Sequence, residues 1–146
     1  MEIFFNEDFM ASLLEKAIEN TRLRQNFDLR NGSEDTSQRM MNALQPGTVV
    51  PIHRHEQTSE TVVCLCGRLE EIFYEECPEY VSSSDERGFD GGDVMHEKRF
   101  REVSRHLLCP TEGFYGLQVP VGMWHSIEVI EPSVIFEAKD GAYIPR

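Results

Sequence analysis

From residue 37 onward, Gly and Pro punctuate seven runs of β-type residues: 37–44, 48–55, 61–74, 100–108, 115–119, 126–130 and 134–138. The punctuation falls at Pro46-Gly47, Cys66-Gly67, Pro110, Pro120-Val121-Gly122 and Glu131-Pro132. These residues supply positive φ or withhold a backbone donor, so they end or bend strands. Runs of that number and spacing predict an all-β sandwich or barrel. One short helix precedes them, over residues 6–20. There Asn6 is placed to cap, Glu7 and Asp8 sit where the helix dipole favours anions, and Phe9, Met10, Leu13, Leu14, Ala17 and Ile18 recur at helical spacing. The polar stretch 22–35, with the turn sequence Asn31-Gly32-Ser33, is expected to be a linker.

A chain of 146 residues fits one compact domain. We divide it into a helix and linker over 1–35, packed on a barrel over 36–146 that carries an acidic hairpin excursion at about 75–99. Charge is concentrated in that region. Residues 70–97 hold ten acids, Glu71 among them, against the single base Arg87, a local charge of −9 that leaves −3 of the overall −12 for everything else. The run lacks the fixed spacing of a calcium loop and is expected to be a solvated face. With no basic patch, neither nucleic acid nor an anionic membrane surface is an expected partner. The start, MEIFFNEDFM, has no basic segment ahead of an apolar one, and the longest apolar run, Val62-Val63-Cys64-Leu65-Cys66, is far short of the roughly 20 residues that span a bilayer. A cytoplasmic protein is expected. Cys64 and Cys66, two apart in one strand, share a face and cannot pair without distortion, so they and the isolated Cys77 and Cys109 are read as reduced thiols.

His53-Arg54-His55 places two imidazoles at spacing two, which in a strand turns both to one face about 6–7 Å apart. Glu60 follows five residues on, and His125 lies beyond the Pro120-Val121-Gly122 turn. Three imidazole nitrogens and one carboxylate oxygen make a mixed donor set that suits one divalent transition metal ion such as Fe, Mn, Zn or Ni. It differs from the closed, thiolate-rich set of a structural zinc site, and leaves positions open for a ligand. His96 and His106 join no ligand set; the first is expected to be solvated and the second half-exposed in a strand.

The spacing Gly47, five residues, His53-x-His55, four residues, Glu60, six residues, Gly67 resembles the first cupin motif, G-x5-H-x-H-x(3,4)-E-x6-G, at every position. Pro120-x-Gly122-x2-His125 resembles the second, G-x5-P-x-G-x2-H-x3-N, except that Phe114 stands where its leading Gly would fall and Val129 where its Asn would. Together with the stretches 37–47 and 67–69 and with Phe136-Glu137-Ala138-Lys139-Asp140-Gly141-x-Tyr143, the chain is similar to the WbuC family of cupin-fold metalloproteins over roughly residues 23–145. The resemblance implies a cupin double-stranded β-helix, a jelly-roll barrel, with one bound metal ion. It also implies homodimerisation, and a family often tied to bacterial surface-polysaccharide gene clusters.

Around such a pocket, Arg39 is placed to grip an acidic group of a small-molecule ligand or to pair with one of the chain's many acids. Asn42, three residues on, points to the opposite face of a flat strand. Tyr115 and Trp124 are candidates to stack on a ring or to fill the core. Lys139 and Tyr143 enter on the family resemblance. The expected role is metal-dependent action on a small polar molecule, a sugar or nucleotide-sugar of cell-surface polysaccharide metabolism. The alternatives are a non-catalytic binding or sensing module and an Fe(II) dioxygenase. An isomerase or epimerase also needs a protein acid or base in the pocket, and no residue stands out as one from sequence.

Overall fold

The computed structural model describes residues 2–77 and 99–142. One helix, α1 (Glu7–Glu19), precedes six strands: β1 (Arg24–Asp28), β2 (Ser37–Leu44), β3 (Glu60–Glu76), β4 (Phe100–Leu108), β5 (Gly116–Val119) and β6 (Trp124–Asp140). A single 3-10 turn (Pro110–Glu112) joins β4 to β5. All the pairings are antiparallel, in the order β1-β2-β6-β3-β4, with β5 on β3.

α1 begins where its cap residue dictates: Asn6 Oδ1 accepts from Phe9 N at 2.9 Å, and Glu7 and Asp8 occupy the first turn. Its apolar stripe packs on the outer face of the sheet, where Leu13 and Ala17 meet Met41, Ala43 and Val134, with Phe9, Met10, Leu14, Phe27 and Phe136 around them. Ile18, expected on that stripe, is 60% exposed.

Three expectations about elements are corrected. The stretch 22–35 is more than a linker, because residues 24–28 form β1 and pair in register with β2, Phe27 opposite Met41. Phe27 gives that polar segment an apolar anchor on the helix side. The run 48–55 is not a strand. Pro51 lacks a donor, and the segment's backbone pairs with the sheet at one isolated bridge, His53–His125. The runs 126–130 and 134–138 are one strand, β6, which passes through Glu131-Pro132 by an irregular register opposite Cys64–Leu69 instead of ending there. The centre of the acidic excursion, residues 78–98, lies outside the described residues.

That irregularity folds the sheet over itself. On one side of it, residues 60–66 of β3 pair with β6 and β5; on the other, residues 68–76 pair with β6 and β4. Val62, Cys64 and Ile135 from the first half share one buried cluster with Leu69, Leu108 and Val129 from the second. Residues of one sheet meet in this way only when its two halves face each other, which is the jelly-roll arrangement.

Gly67 sits at the bend with φ 100°, and a Cβ there would lie 2.3 Å from the carbonyl oxygen of Pro132. Gly67→Ala is therefore expected to cost about 2–4 kcal/mol, read as a lowered urea midpoint. Gly32→Ala, at a site with nothing within 4 Å, serves as the control and should shift the midpoint little.

Candidate metal centre

After β2, Thr48 N donates to Gln45 O at 3.1 Å, closing a turn in which Gly47 takes φ 97°. The following extended segment is then sewn to the start of β6. His53 N donates to His125 O at 3.0 Å and His125 N to His53 O at 2.8 Å, while Gly122 N donates to His55 O at 2.8 Å. Ser126 Oγ adds a bond to Val50 O at 2.6 Å. The two histidine-bearing segments, distant in sequence, are thus locked by reciprocal backbone bonds before any side chain is considered.

The three rings converge, with centroids 4.3 Å apart for His53–His125, 5.1 Å for His53–His55 and 5.4 Å for His55–His125. One ligand atom from each lies within 4.8 Å of the others, a spacing at which a single ion can be held. Nδ1 of His53 lies 2.9 Å from Pro51 O, and Nδ1 of His125 lies 2.8 Å from Met123 O. A carbonyl accepts only, so each Nδ1 donates to it, and Nε2 is the nitrogen left to face the cluster. Nε2 of His55 and of His125 are buried without a hydrogen-bond partner among the described residues. Orphaned imidazole nitrogens aimed at one point are the chemistry a divalent transition metal satisfies.

Glu60, 3% exposed, puts Oε1 at 3.4 Å from His55 Nε2 and 3.3 Å from His125 Nε2, while Oε2 accepts from Lys139 Nζ at 3.3 Å. The β3–β6 register places Glu60 opposite Lys139. Burial works against charge on this carboxyl, but the rings of His125 and His55 and the Lys139 ammonium outweigh it and hold it well below the usual carboxylate range.

A cavity of about 360 Å³ opens from this group, and Glu71 and Glu137 line it beside Glu60. Glu71 is 1% exposed, and its Oε1 has no hydrogen-bond partner among the described residues. Burial, together with the charges of Glu137 and Glu60, pushes its carboxyl well above the ordinary range. Burial and the Glu60 charge push Glu137 up to about 7, against the opposing effects of Lys139 and of Asn42, whose Nδ2 donates to Glu137 Oε1 at 2.5 Å. Sequence reading missed both acids. The acidic run that includes Glu71 reads as a solvated face, yet Glu71 belongs to β3, with Leu69 and Phe73 on either side of it on the strand's inner face. The alternation of that strand was the available signal.

Of the other expected pocket residues, Asn42 and Lys139 line the cavity. Arg39 points the other way along β2 and bonds Asp35 Oδ2 at 3.2 Å and Ser37 O at 2.6 Å, the structural pairing that was its alternative. Tyr115 is 63% exposed. Trp124 is packed by Phe100, ring centroids 4.9 Å apart, with the Arg54 guanidinium 4.5 Å over its ring. None of these three residues lines the cavity. His106 packs on Phe73 and lies 3.0 Å from Ser104 Oγ. Tyr143 and His96 lie outside the described residues. Among the described residues, no helix is long and apolar enough to cross a membrane.

A family model described as a domain of unknown function, DUF6016, matches residues 5–84. No curated protein sequence matches the chain. Among solved structures, the chain is similar to the capsular polysaccharide assembling protein CapF from Staphylococcus aureus, with 17% identity and a TM-score of 0.52 over 86% of this chain and 28% of CapF. It is also similar to an oxalate oxidase in complex with the substrate analogue glycolate, with 11% identity and a TM-score of 0.51 over 85% of this chain and 54% of that one. The chain thus spans under a third of CapF and about half of the oxidase. At these identities the likeness shows the fold, which is that of the cupins.

Protein purified without chelator or immobilised nickel is expected to carry about one equivalent of a transition metal by elemental analysis, and His53→Ala and His125→Ala are each expected to carry less than about a tenth of that. Glu71 generates a second expectation. Its folded-state pKa is raised, so the native state binds the proton more tightly than the unfolded one, and stability is lost as pH rises above the ordinary value of 4.5. Glu71→Gln should therefore match wild type in urea midpoint below that pH and gain on it progressively above.

Proposed function

The chain belongs to the DUF6016 family, a domain of unknown function, and from its site we propose that it is a metal-dependent cupin enzyme acting on a small polar molecule, a sugar or nucleotide-sugar. His53, His55 and His125 would hold the ion, with Glu60 as the fourth donor. The observation that carries this reading is the pair of buried Nε2 atoms on His55 and His125, without a hydrogen-bond partner among the described residues, within a three-imidazole cluster. The mixed nitrogen and oxygen set suits Fe, Mn, Zn or Ni.

When bound, such an ion supplies a Lewis acid for a carbonyl, hydroxyl or carboxylate of the ligand. The chain's own residues do the rest. Lys139 and the imidazoles keep Glu60 anionic, which matches it to a cation. Burial and the neighbouring carboxylates push the Glu71 carboxyl well above the ordinary range and so favour its protonated form, and Oε1 has no hydrogen-bond partner among the described residues, which suits it to give a proton to a ligand in the cavity and take one back. Glu137, at about 7, is poised to act in either direction, and Asn42 orients it. These two carboxyls favour an enzyme over a passive binding module, because a module has no use for a proton donor and acceptor facing its ligand.

The pathway part of the reading is supported by the motif resemblance to the WbuC family and by CapF, a capsular polysaccharide assembling protein that shares the fold. A reducing, cytoplasmic setting agrees with Cys64, Cys66, Cys77 and Cys109 as free thiols. We further propose a homodimer formed at a sheet edge, since among the described residues β1 and β4 end the sheet order.

The decisive comparison is turnover of a panel of sugars and nucleotide-sugars, followed by proton NMR, with metal-loaded and chelator-treated protein. Turnover is expected only in the loaded protein, and Glu71→Gln should lower it by about a hundredfold or more at unchanged metal content. Binding without turnover across the panel would reduce the protein to a sensing module. Light scattering should give twice the 16.8 kDa chain mass.

A further inference from the structure

The buried polar side-chain atoms that lack a hydrogen-bond partner among the described residues gather at the cavity. Apart from Arg54 Nε, they are Gln38 Oε1, Glu71 Oε1 and the Nε2 atoms of His55 and His125, and each of these four side chains lines it. Such atoms are rare in native proteins, and a cluster of them at one cavity marks what a bound group supplies. The two nitrogens suit a metal ion and Glu71 suits a proton transfer. The Gln38 oxygen is still without a role.

Gln38 is well placed for one. β2 turns Gln38, Met40, Asn42 and Leu44 to the cavity, while Met41 and Ala43 pack toward the helix. Gln38 is 5% exposed, and its amide has one orientation: Nε2 donates to Gly141 O at 2.7 Å, a carbonyl that accepts only, so Oε1 is the end without a partner. Gly141 is itself held, its N donating to Thr36 O at 2.7 Å. The register sets Gln38 opposite Lys139 and Lys139 opposite Glu60. Gln38 therefore lies two strands from the carboxyl of the metal centre, roughly 10 Å in strand spacings.

Given the reading of this cavity as a sugar site, on which the rest depends, we infer that Gln38 binds the ligand. Its Oε1 accepts a hydrogen bond from one hydroxyl of the molecule in the cavity, while another part of that molecule reaches the imidazole cluster. An amide oxygen selects for donors: a hydroxyl satisfies it, whereas an ether, a halogen or a carboxylate leaves it buried and unmet. A cationic donor would need a charged partner, which a neutral amide does not supply. The terminal torsion of glutamine is broad, so a small turn of the amide brings Oε1 onto the hydroxyl. A cavity of about 360 Å³ is at the low end of the roughly 300–1,000 Å³ of small-molecule sites, and a single sugar ring is of the right size.

The test is an NMR titration of the full-length, metal-loaded protein with glucose, galactose and mannose, and with the monodeoxyfluoro analogues of whichever binds most tightly, alongside Gln38→Met. Fluorine keeps much of the size and polarity of a hydroxyl but cannot donate. One analogue is expected to bind wild type about tenfold or more weakly than its parent sugar, and to bind Gln38→Met within about twofold of that parent. Gln38→Met should itself bind the parent about tenfold more weakly at unchanged metal content, whereas a purely structural role would weaken parent and analogues alike and leave no such coupling. A crystal structure of the wild-type complex, which does not depend on the variant folding, should place a sugar oxygen within about 3.2 Å of Gln38 Oε1. A sugar that binds with the same penalty for every analogue in both proteins, or whose oxygens all lie beyond hydrogen-bond reach of Gln38, overturns the inference and leaves the sugar reading standing. Metal-loaded protein that binds none of the three sugars overturns the sugar reading and the inference with it. Binding with the coupling intact, in protein that takes up no metal, upholds Gln38 and overturns the metal-centre reading instead.

Discussion

The pairing of β3 with β6 is the constraint from which the remainder of the molecule follows. These two strands of seventeen residues stay hydrogen-bonded from Glu60–Lys139 to Tyr74–Trp124, and every other strand except β1 hangs on one or the other. Their register chooses which groups meet inside: Lys139 opposite Glu60, Glu137 opposite Val62, and His125 opposite Phe73. A slip of one residue would turn each of these side chains to the other face. The bend at Gly67 against Pro132 folds the pair, so that one long ladder supplies both walls of the barrel and both walls of the cavity.

A fold optimised for stability alone would not place Glu60, Glu71 and Glu137 around one cavity. Buried carboxyls are costly unless paired, and Glu71 has an oxygen with no partner among the described residues. The surrounding core supports that cost through apolar packing on both sides: Leu69, Val129 and Ile135 inside, and the α1 contacts with Met41 and Val134 outside. The helix therefore has a role in the site although it lies on the far side of the sheet. It anchors the outer faces of β1, β2 and β6, whose inner faces carry the cavity.

Much of the site was legible in the sequence because its spacing is local. Gly47, His53, His55, Glu60 and Gly67 fall within 21 residues, where turn chemistry and a short reach leave few arrangements. Even so, the reason given for the two imidazoles facing one way was not the right one. They do not alternate along a strand; Pro51 prevents one, and the rings converge because reciprocal backbone bonds tie His53 to His125. Glu137 was not legible as a pocket residue, and Glu71 only through the alternation of its strand. Local composition marked Glu71 as one more acid in a solvated run, and nothing near Glu137 says which strand it will face.

The sequence by itself determined the elements whose causes are near neighbours: the capped helix, the β-rich remainder, the Gly and Pro turns, and a histidine and glutamate pattern of cupin type. Only the tertiary structure decided that the polar stretch 24–28 becomes an edge strand, that 126–130 and 134–138 are one continuous strand, and that Arg39 turns away from the cavity that Asn42 lines. It also decided that Arg22 and Arg24, outside the metal motif, line the cavity. The physical reason is common to all of these. Each depends on which residue lies across a ladder or across the fold of the sheet, and that partner is tens of residues away in the chain, beyond the reach of spacing or propensity.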